Sequence, residues 1–378
     1  MKIAYLHHSM ITTGGVERMI VNKADYLADK KGFDVCIITT DQSGLPLVYP
    51  VSEKVKHYDL GVNFYSRYRY PRGLRDVYRL VLRKRYLQLL EALLKELKPD
   101  IVICSTYDFT NLCPSVNDGS IKIVESHIAK EFTIDDPHHP LILKYLTESL
   151  YRKVERFVEN GNFLVTLTNM DSKHWSKITR KAVIPNFLPF YPEKVSTCLN
   201  KQVLAVGRLE RQKGFDWLVE VWDIIAKKHP DWTLKLYGKG EMKNQLVSRI
   251  LELGLEKSFL MLEPVSNIAD KYAESAIYVM SSRYEGFGMA LIESMACGTP
   301  VVSFDCPNGP TDIIQDGVDG LLAKTGNIAD LAEKVCYLIE HEEERVKMGQ
   351  VARENVRSYL PEPIMQRWID LFETLTKK

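Results

Sequence analysis

The sequence lacks several features that mark whole classes of protein. No window reaches the roughly 18 consecutive apolar residues of a membrane-spanning helix, so no such span is expected. The opening stretch MKIAYLHHS has an apolar run of only four residues before two histidines. A signal peptide needs an apolar core of about 7 to 15, so export is not expected either. Net charge is nearly absent, +1 over 378 residues, which argues against a dedicated nucleic-acid binder. No Cys-x-x-Cys pair occurs, and the seven cysteines (Cys36, Cys104, Cys113, Cys198, Cys297, Cys306, Cys336) are odd in number and mostly embedded in apolar runs. They read as reduced core residues of a cytosolic protein. The histidine pairs His7/His8 and His138/His139 are chain neighbours whose side chains ordinarily diverge, so no metal and no cofactor is expected. The dinucleotide fingerprint G-x-G-x-x-G is missing, and there is no internal repeat or low-complexity tract.

What is present is a folded profile, with 45% hydrophobic and 26% charged residues, in a chain long enough for two domains. Short β-branched runs (KIAYLHH, DVCIITT, DIVICST, KIVES, FLVTLT, QVLAVG, TLKLYG, AIYVMSS, PVVSFD) alternate with amphipathic stretches. The latter include residues 17–29, 78–97, 217–228, 242–253 and 289–297. This is the pattern of βαβ units and parallel sheets. The proline-rich IPNFLPFYPEK separates two such series and reads as the interdomain linker, while LPEP at 360–363 precedes a last amphipathic segment. Two open α/β sheets bind ligands at the carboxyl ends of their strands, so the expected site is a cleft between the domains.

The stretch YEGFGMALIESMACGTP (284–300) follows one strand, forms a helix that Gly298 ends, and leads into the next strand. Gly286 and Gly288 uncover the backbone N–H groups at the helix start, where turn and dipole together receive a phosphate. Glu285 falls in the turn and Glu293 in or near the first helical turn. A hydrolase would need the two carboxylates about 5 to 9.5 Å apart across one bond. A clamp on a substrate, or a first-turn acid beside a solvated loop residue, fits the same spacing. In VGRLERQKGFDWLVEVW, Arg208 and Lys213 stand at another strand mouth of the same half, suited to the two charges of a diphosphate.

From Val203 to about Leu322, through LAVGRLERQKGFDWLVEVW, KLYGKGEMKNQL, YEGFGMALIESMACGTPVVSF and GPTDIIQDGVDGLL, the sequence resembles the retaining glycosyltransferases of family 4, with E-x7-E spacing intact at Glu285 and Glu293. The resemblance implies the GT-B fold: two Rossmann-like α/β domains whose parallel sheets face each other across a cleft. Residues 1–185 would form the acceptor-side domain and 195–360 the nucleotide-sugar domain, with a helix over 361–378 packing back on the first. It further implies that Glu285 contacts the donor sugar and Glu293 the ribose diol. Arg208, Lys213 and the N–H groups of Phe287, Gly288 and Met289 would hold the diphosphate, and Gly238, Gly240 and Val265 would line base and ribose. In the first half the match is looser. SMITTGGVERM supplies a Gly14-Gly15 loop with Gly15 near the donor phosphate, and His127 after KIVES would face donor sugar and acceptor, with a satisfied loop histidine as the alternative. Asn186 matches a strand-end asparagine, although Phe187 replaces the glycine usual after it.

Residues 66–86, SRYRYPRGLRDVYRLVLRKRY, carry eight Arg or Lys against Asp76 alone. No nucleic-acid motif accompanies them. The segment suits an anionic membrane surface or a lipid-linked acceptor, or is a solvated helix face. The combined expectation is a cytoplasmic, metal-independent retaining transferase, with a peripheral membrane location through this stretch. It would move a hexose or N-acetylhexosamine from a UDP-sugar to a glycan hydroxyl, lipid-linked or free. The alternatives are an epimerase or a synthase of the same architecture, and a nucleotide-sugar-binding protein without catalysis.

Overall fold

A computed structural model of the chain describes residues 1–12, 14–105, 116–127, 152, 154–160 and 162–377. Thr13, Thr106, Cys113, His138, His139, Lys378 and the side chain of Arg72 lie outside the described residues. Among the described residues thirteen strands form two sheets, and every strand pairing in both is parallel. The first contains β1 (Lys2–His7), β2 (Asp34–Thr39), β3 (Lys56–Asp59), β4 (Ile101–Cys104), β5 (Ile121–Ser126), β6 (Phe163–Thr166) and β7 (Lys181–Val183) in the order β3-β2-β1-β4-β5-β6-β7. The second contains β8 (Gln202–Val206), β9 (Thr233–Tyr237), β10 (Phe259–Leu262), β11 (Ile277–Met280), β12 (Val301–Phe304) and β13 (Gly320–Ala323) in the order β10-β9-β8-β11-β12-β13. Both orders are doubly wound, with a reversal of direction between β1 and β4 in one sheet and between β8 and β11 in the other.

The nine strands expected from sequence are all interior to their sheets; the four that escaped it, β3, β7, β10 and β13, are the four edges. An interior parallel strand is covered on both faces and paired on both sides, so it reads as an unbroken apolar run. Two of the edge strands are more open: KHYD of β3 is largely exposed and KAV of β7 is half-buried throughout. The helix expected from residue 78 begins earlier, at Arg72, directly after Pro71. At LPEP the chain breaks at Leu360, which is extended, and Pro361 then opens the helix Pro361–Thr376, since a first turn tolerates proline.

The chain divides into two compact units. Unit 1 comprises residues 1–167, 171–185 and 364–378, and unit 2 comprises 168–170 and 186–363. The proline-rich segment is packed on unit 2 once past Pro185: Leu188 N–H donates to the Tyr359 carbonyl at 2.8 Å, and Arg353 stacks over Tyr191 at 4.0 Å. In unit 1 the last helix buries Ile364, Met365, Trp368, Ile369 and Phe372. Its Arg367 donates to the Val183 carbonyl of β7.

Cys36, Cys198, Cys297, Cys306 and Cys336 are free and buried. Burial pushes the thiols of Cys36 and Cys297 up to about 12, so they are inert as nucleophiles. Cys104 departs from the expectation of seven reduced thiols: it is disulfide-bonded. Among the described residues no helix is long and apolar enough to cross a membrane.

Trp368 is fully buried, so Trp368→Ala is expected to destabilise unit 1 by about 3 to 5 kcal/mol. Urea unfolding followed by circular dichroism measures this. A midpoint within error of the parent would show that the last helix does not belong to that core.

Candidate active site

In unit 2 the candidate residues gather where the winding reverses, at the carboxyl ends of β8 and β11. Beyond β8, Gly207 and Arg208 lead into a single 3-10 turn, Arg211–Lys213, and then the helix Phe215–Lys228. Beyond β11, Ser281 to Gly288 lead into the helix Met289–Ala296. The two loops are tied together. Arg283 N–H donates to the Gln212 carbonyl at 2.8 Å and Gln212 Nε2 donates to the Tyr284 carbonyl at 3.1 Å. The Arg283 guanidinium grips Asp216 with both nitrogens, at 2.7 and 2.6 Å, and lies 3.8 Å over the Trp217 ring. This bidentate pair fixes geometry as well as adding energy, and it holds the Asp216 carboxyl below its usual range despite the opposing effect of burial.

Gly214 makes the approach possible. Its φ is +62°, and a Cβ there would stand 2.0 Å from the Ser281 carbonyl oxygen. Ser281 Oγ in turn donates to the Lys213 carbonyl at 2.9 Å. The turn is thereby pressed against the end of β11, and Lys213 Nζ reaches Glu285 Oε1 at 2.7 Å. The same carboxylate oxygen accepts from Ser282 Oγ at 2.5 Å. Glu285 also acts on Cys306, whose thiol is pushed well up, first by burial and then by this carboxylate. The loop that carries Cys306 is bonded to the site, since Glu285 N–H donates to the Pro307 carbonyl at 3.3 Å.

Glu293 lies in the second turn of its helix, and the first turn contains no acid. The reading of Glu293 as a first-turn acid therefore fails: its carboxylate is buried and accepts from Tyr272 Oη at 3.4 Å. Tyr272 packs edge-on against Tyr278, ring centroids 5.5 Å apart. Burial, then Glu285 and Glu293 together, raise the Tyr278 hydroxyl far above its ordinary range. Both glutamates thus lie beside a buried tyrosine pair, with Glu285 bonded to Lys213 and Ser282 and Glu293 to Tyr272.

The remaining unit 2 candidates divide. Gly288, at φ +99°, caps the helix Met289–Ala296, with Phe287 buried and Met289 half-buried beside it. Arg208 is exposed and paired with Glu210 at 2.9 Å, and Val265 is exposed. A Cβ on Gly238 would stand 2.1 Å from the Gly207 carbonyl oxygen, and one on Gly240 2.5 Å from that of Leu209. These two glycines let the ends of β8 and β9 cross closely, a packing reason sufficient in itself. Asn186 is buried, with no hydrogen-bond partner for Oδ1 among the described residues.

In unit 1 the winding reverses between β1 and β4. His7 at the end of β1 meets Ser105 just past β4, Nδ1 to Oγ 2.6 Å. Glu17, in the first turn of the helix Gly15–Asp25, approaches His7 Nε2 at 3.7 Å and accepts from Thr12 Oγ1 at 3.0 Å. Burial opposes its charge, but His7 and Thr12 outweigh it and hold the carboxyl below the usual range. Around Gly15, the position of a Cβ is open to 4 Å. His127, just past β5, is buried against Glu125, Nε2 to Oε2 3.4 Å. Sequence reasoning missed His7, Ser105, Ser282, Arg283, Asp216, Tyr272 and Tyr278. The strand-end positions of His7, Ser105, Ser282 and Arg283 were the available signal. Among the described residues no three His, Cys, Asp or Glu side chains gather to hold a metal ion.

Residues 198–355 match the family model described as glycosyl transferases group 1. An uncharacterized glycosyltransferase of Haemophilus influenzae is 30% identical over 373 residues, spanning 97% of this chain and 98% of its own length. The poly(ribitol-phosphate) alpha-N-acetylglucosaminyltransferase of Staphylococcus aureus is 28% identical over 295 residues, 75% of this chain and 57% of that protein. Among solved structures, S. aureus TarM in complex with fondaparinux, alpha-GlcNAc-glycerol and UDP superposes with a TM-score of 0.79 at 18% identity, over 98% of this chain and 99% of its own. Anabaena HepE in complex with UDP and glucose gives a TM-score of 0.73 at 18% identity, over 99% of this chain and 100% of its own.

Gly214→Ala is expected to displace the Lys213 turn, since an alanine must both adopt positive φ and clear the Ser281 carbonyl. Strain of about 1 to 3 kcal/mol should lower the thermal midpoint by at least about 2 °C. An unchanged midpoint in differential scanning calorimetry would show that the turn can relax away from β11 at no cost.

Proposed function

The chain belongs to the group 1 glycosyl transferases and is a glycosyltransferase of GT-B fold, and from that premise we propose that it is a retaining enzyme of family 4 type, moving a hexose or N-acetylhexosamine from a UDP-sugar to a hydroxyl of a growing glycan. The observation that carries the donor assignment is the Lys213–Glu285 pair at 2.7 Å, at the point of unit 2 where doubly wound sheets bind ligands. It puts a cation suited to a diphosphate and a carboxylate suited to sugar hydroxyls within one contact of each other. Lys213, Arg208 and the N–H groups of Phe287, Gly288 and Met289 stabilise the negative charge that builds on the leaving diphosphate. Glu285 orients the donor sugar, Glu293 takes the ribose diol, and Gly238, Gly240 and Val265 lie along ribose and base. In unit 1, Gly15 is assigned to phosphate and His127 to the reacting side, both on the resemblance of sequence. Retention follows if the acceptor hydroxyl attacks from the face the diphosphate leaves, its proton passing to a phosphate oxygen. No metal enters this scheme.

UDP as the nucleotide is supported by the UDP named with the TarM and HepE structures, and a polymer acceptor by the S. aureus relative's activity on poly(ribitol-phosphate). A lipid-linked acceptor and a peripheral location on the inner face of the membrane are supported by the basic stretch 66–86. There Tyr68, Leu74, Val77 and Val81 are exposed among the arginines, so an anionic bilayer meets both charge and apolar side chains.

Mixing the purified chain with UDP-sugars alone should give slow UDP release, and a preferred donor should raise the thermal midpoint by mass action. Lys213→Ala and Glu285→Ala should each lower turnover by about 100-fold or more. Turnover within twofold of the parent would remove the site assignment, a new sugar isomer would indicate an epimerase, and binding without UDP release a non-catalytic protein.

Sedimentation with vesicles containing anionic lipid should carry the chain down in a salt-sensitive manner, and Leu74→Glu with Val77→Glu should leave it in solution. Equal sedimentation with uncharged vesicles would contradict the electrostatic part of this assignment.

A further inference from the structure

Unit 1 buries a charged cluster that the donor chemistry does not use. Glu125 is the fifth residue of β5, and His127 stands two residues on, so both side chains fall on one side of the strand. Ser126 faces the other way, its Oγ donating to Asp171 Oδ2 at 2.8 Å. Lys23, from the helix Gly15–Asp25, donates to Glu125 Oε1, and both of these side chains are 0% exposed. The Lys23 ammonium lies 5.0 Å from the Trp368 ring centroid, so the last helix covers it. Tyr5 of β1 closes the cluster; its hydroxyl is pushed well up, by burial first and then by Glu125, and stays neutral. Burial alone would neutralise Glu125 as well, but Lys23 and His127 outweigh it and hold the carboxyl at about 2.

A lysine–glutamate pair out of water is a poor way to stabilise a fold, because desolvation offsets most of the attraction. The geometry of the other carboxylate oxygen points to a use. Glu125 Oε2 and His127 Nε2 are 3.4 Å apart, and neither has a hydrogen-bond partner among the described residues. Leaving two buried polar atoms unpaired is costly, because each has lost its water. A small turn of the imidazole satisfies both at once, with Nε2–H donating to Oε2. The lone pair of the ring is then on Nδ1.

We propose that Glu125 is a positioning residue: its carboxylate, ion-paired with Lys23 in the interior, fixes His127 in the Nε2–H tautomer and sets its ring plane, so that Nδ1 accepts a hydrogen bond from a non-attacking hydroxyl of a bound sugar. This rests on the assignment of His127 to the reacting side. The arrangement is that of a carboxylate orienting a functional imidazole through its second nitrogen.

The test uses the full chain with 15N-labelled histidine. Long-range proton–nitrogen correlation spectra identify His127 by the signals lost in His127→Asn, and the parent should show Nε2–H. Glu125→Gln should shift His127 towards the other tautomer and lower the turnover of UDP release by about 10- to 100-fold, with the donor KM within twofold. Glu125→Asp should recover part of that loss. A parent His127 in the Nδ1–H form overturns the inference even if Glu125→Gln fails to fold, and so does a tautomer unchanged in Glu125→Gln. Parent-like turnover in His127→Asn instead removes the assignment on which it rests, leaving the tautomer result to stand as a structural fact.

Discussion

The backbone of Gly214 lies against the carbonyl of Ser281, and the chemistry available to unit 2 follows from that contact. A side chain there would meet the carbonyl at 2.0 Å, so the turn that carries Lys213 could not reach the end of β11. With glycine, two loops from neighbouring strands close on each other and are held by Arg283 on Asp216 and on the Gln212 carbonyl. Lys213 Nζ then meets the Glu285 carboxylate. Positive and negative groups of the site are therefore set relative to each other by backbone packing, before any substrate contributes binding energy. That is the form of preorganisation on which electrostatic stabilisation of a leaving group depends.

Each unit treats buried charge differently. In unit 2 the buried carboxylates of Glu285 and Glu293 accept from the hydroxyls of Ser282 and Tyr272. In unit 1 the Lys23–Glu125 pair is completely enclosed, with an aromatic ring over the ammonium. Enclosure removes screening by water, so the Glu125 charge reaches the Tyr5 hydroxyl. It also makes the cluster depend on the last helix, which supplies Trp368 from the far end of the chain.

The sequence was most legible where burial is symmetrical. Interior strands such as DVCIITT and AIYVMSS announce themselves because both faces must be apolar, whereas KHYD of β3 and KAV of β7 pair on one side only and need no such run. The site was legible in part through its glycines and cations. Gly238 and Gly240 were visible as a turn, but linear order could not show that Gly207 and Leu209 press against them. Glu293 was placed too near its helix start, since one residue of uncertainty in a helix boundary decides between its first and second turns. Cys104 was read as a free thiol because pairing depends on a neighbour in space.

By itself the sequence determined that the chain forms two parallel α/β sheets, because alternating apolar runs and amphipathic helices have few other ways to bury their surfaces. It also determined which residues carry charge at the ends of strands. Tertiary structure alone decided which of those charges meet. Lys213 and Glu285 are separated by 71 intervening residues, and Lys23 and Glu125 by 101. Coulomb energy depends on distance through space and on how much water remains between charges, and neither quantity is a property of position along the chain.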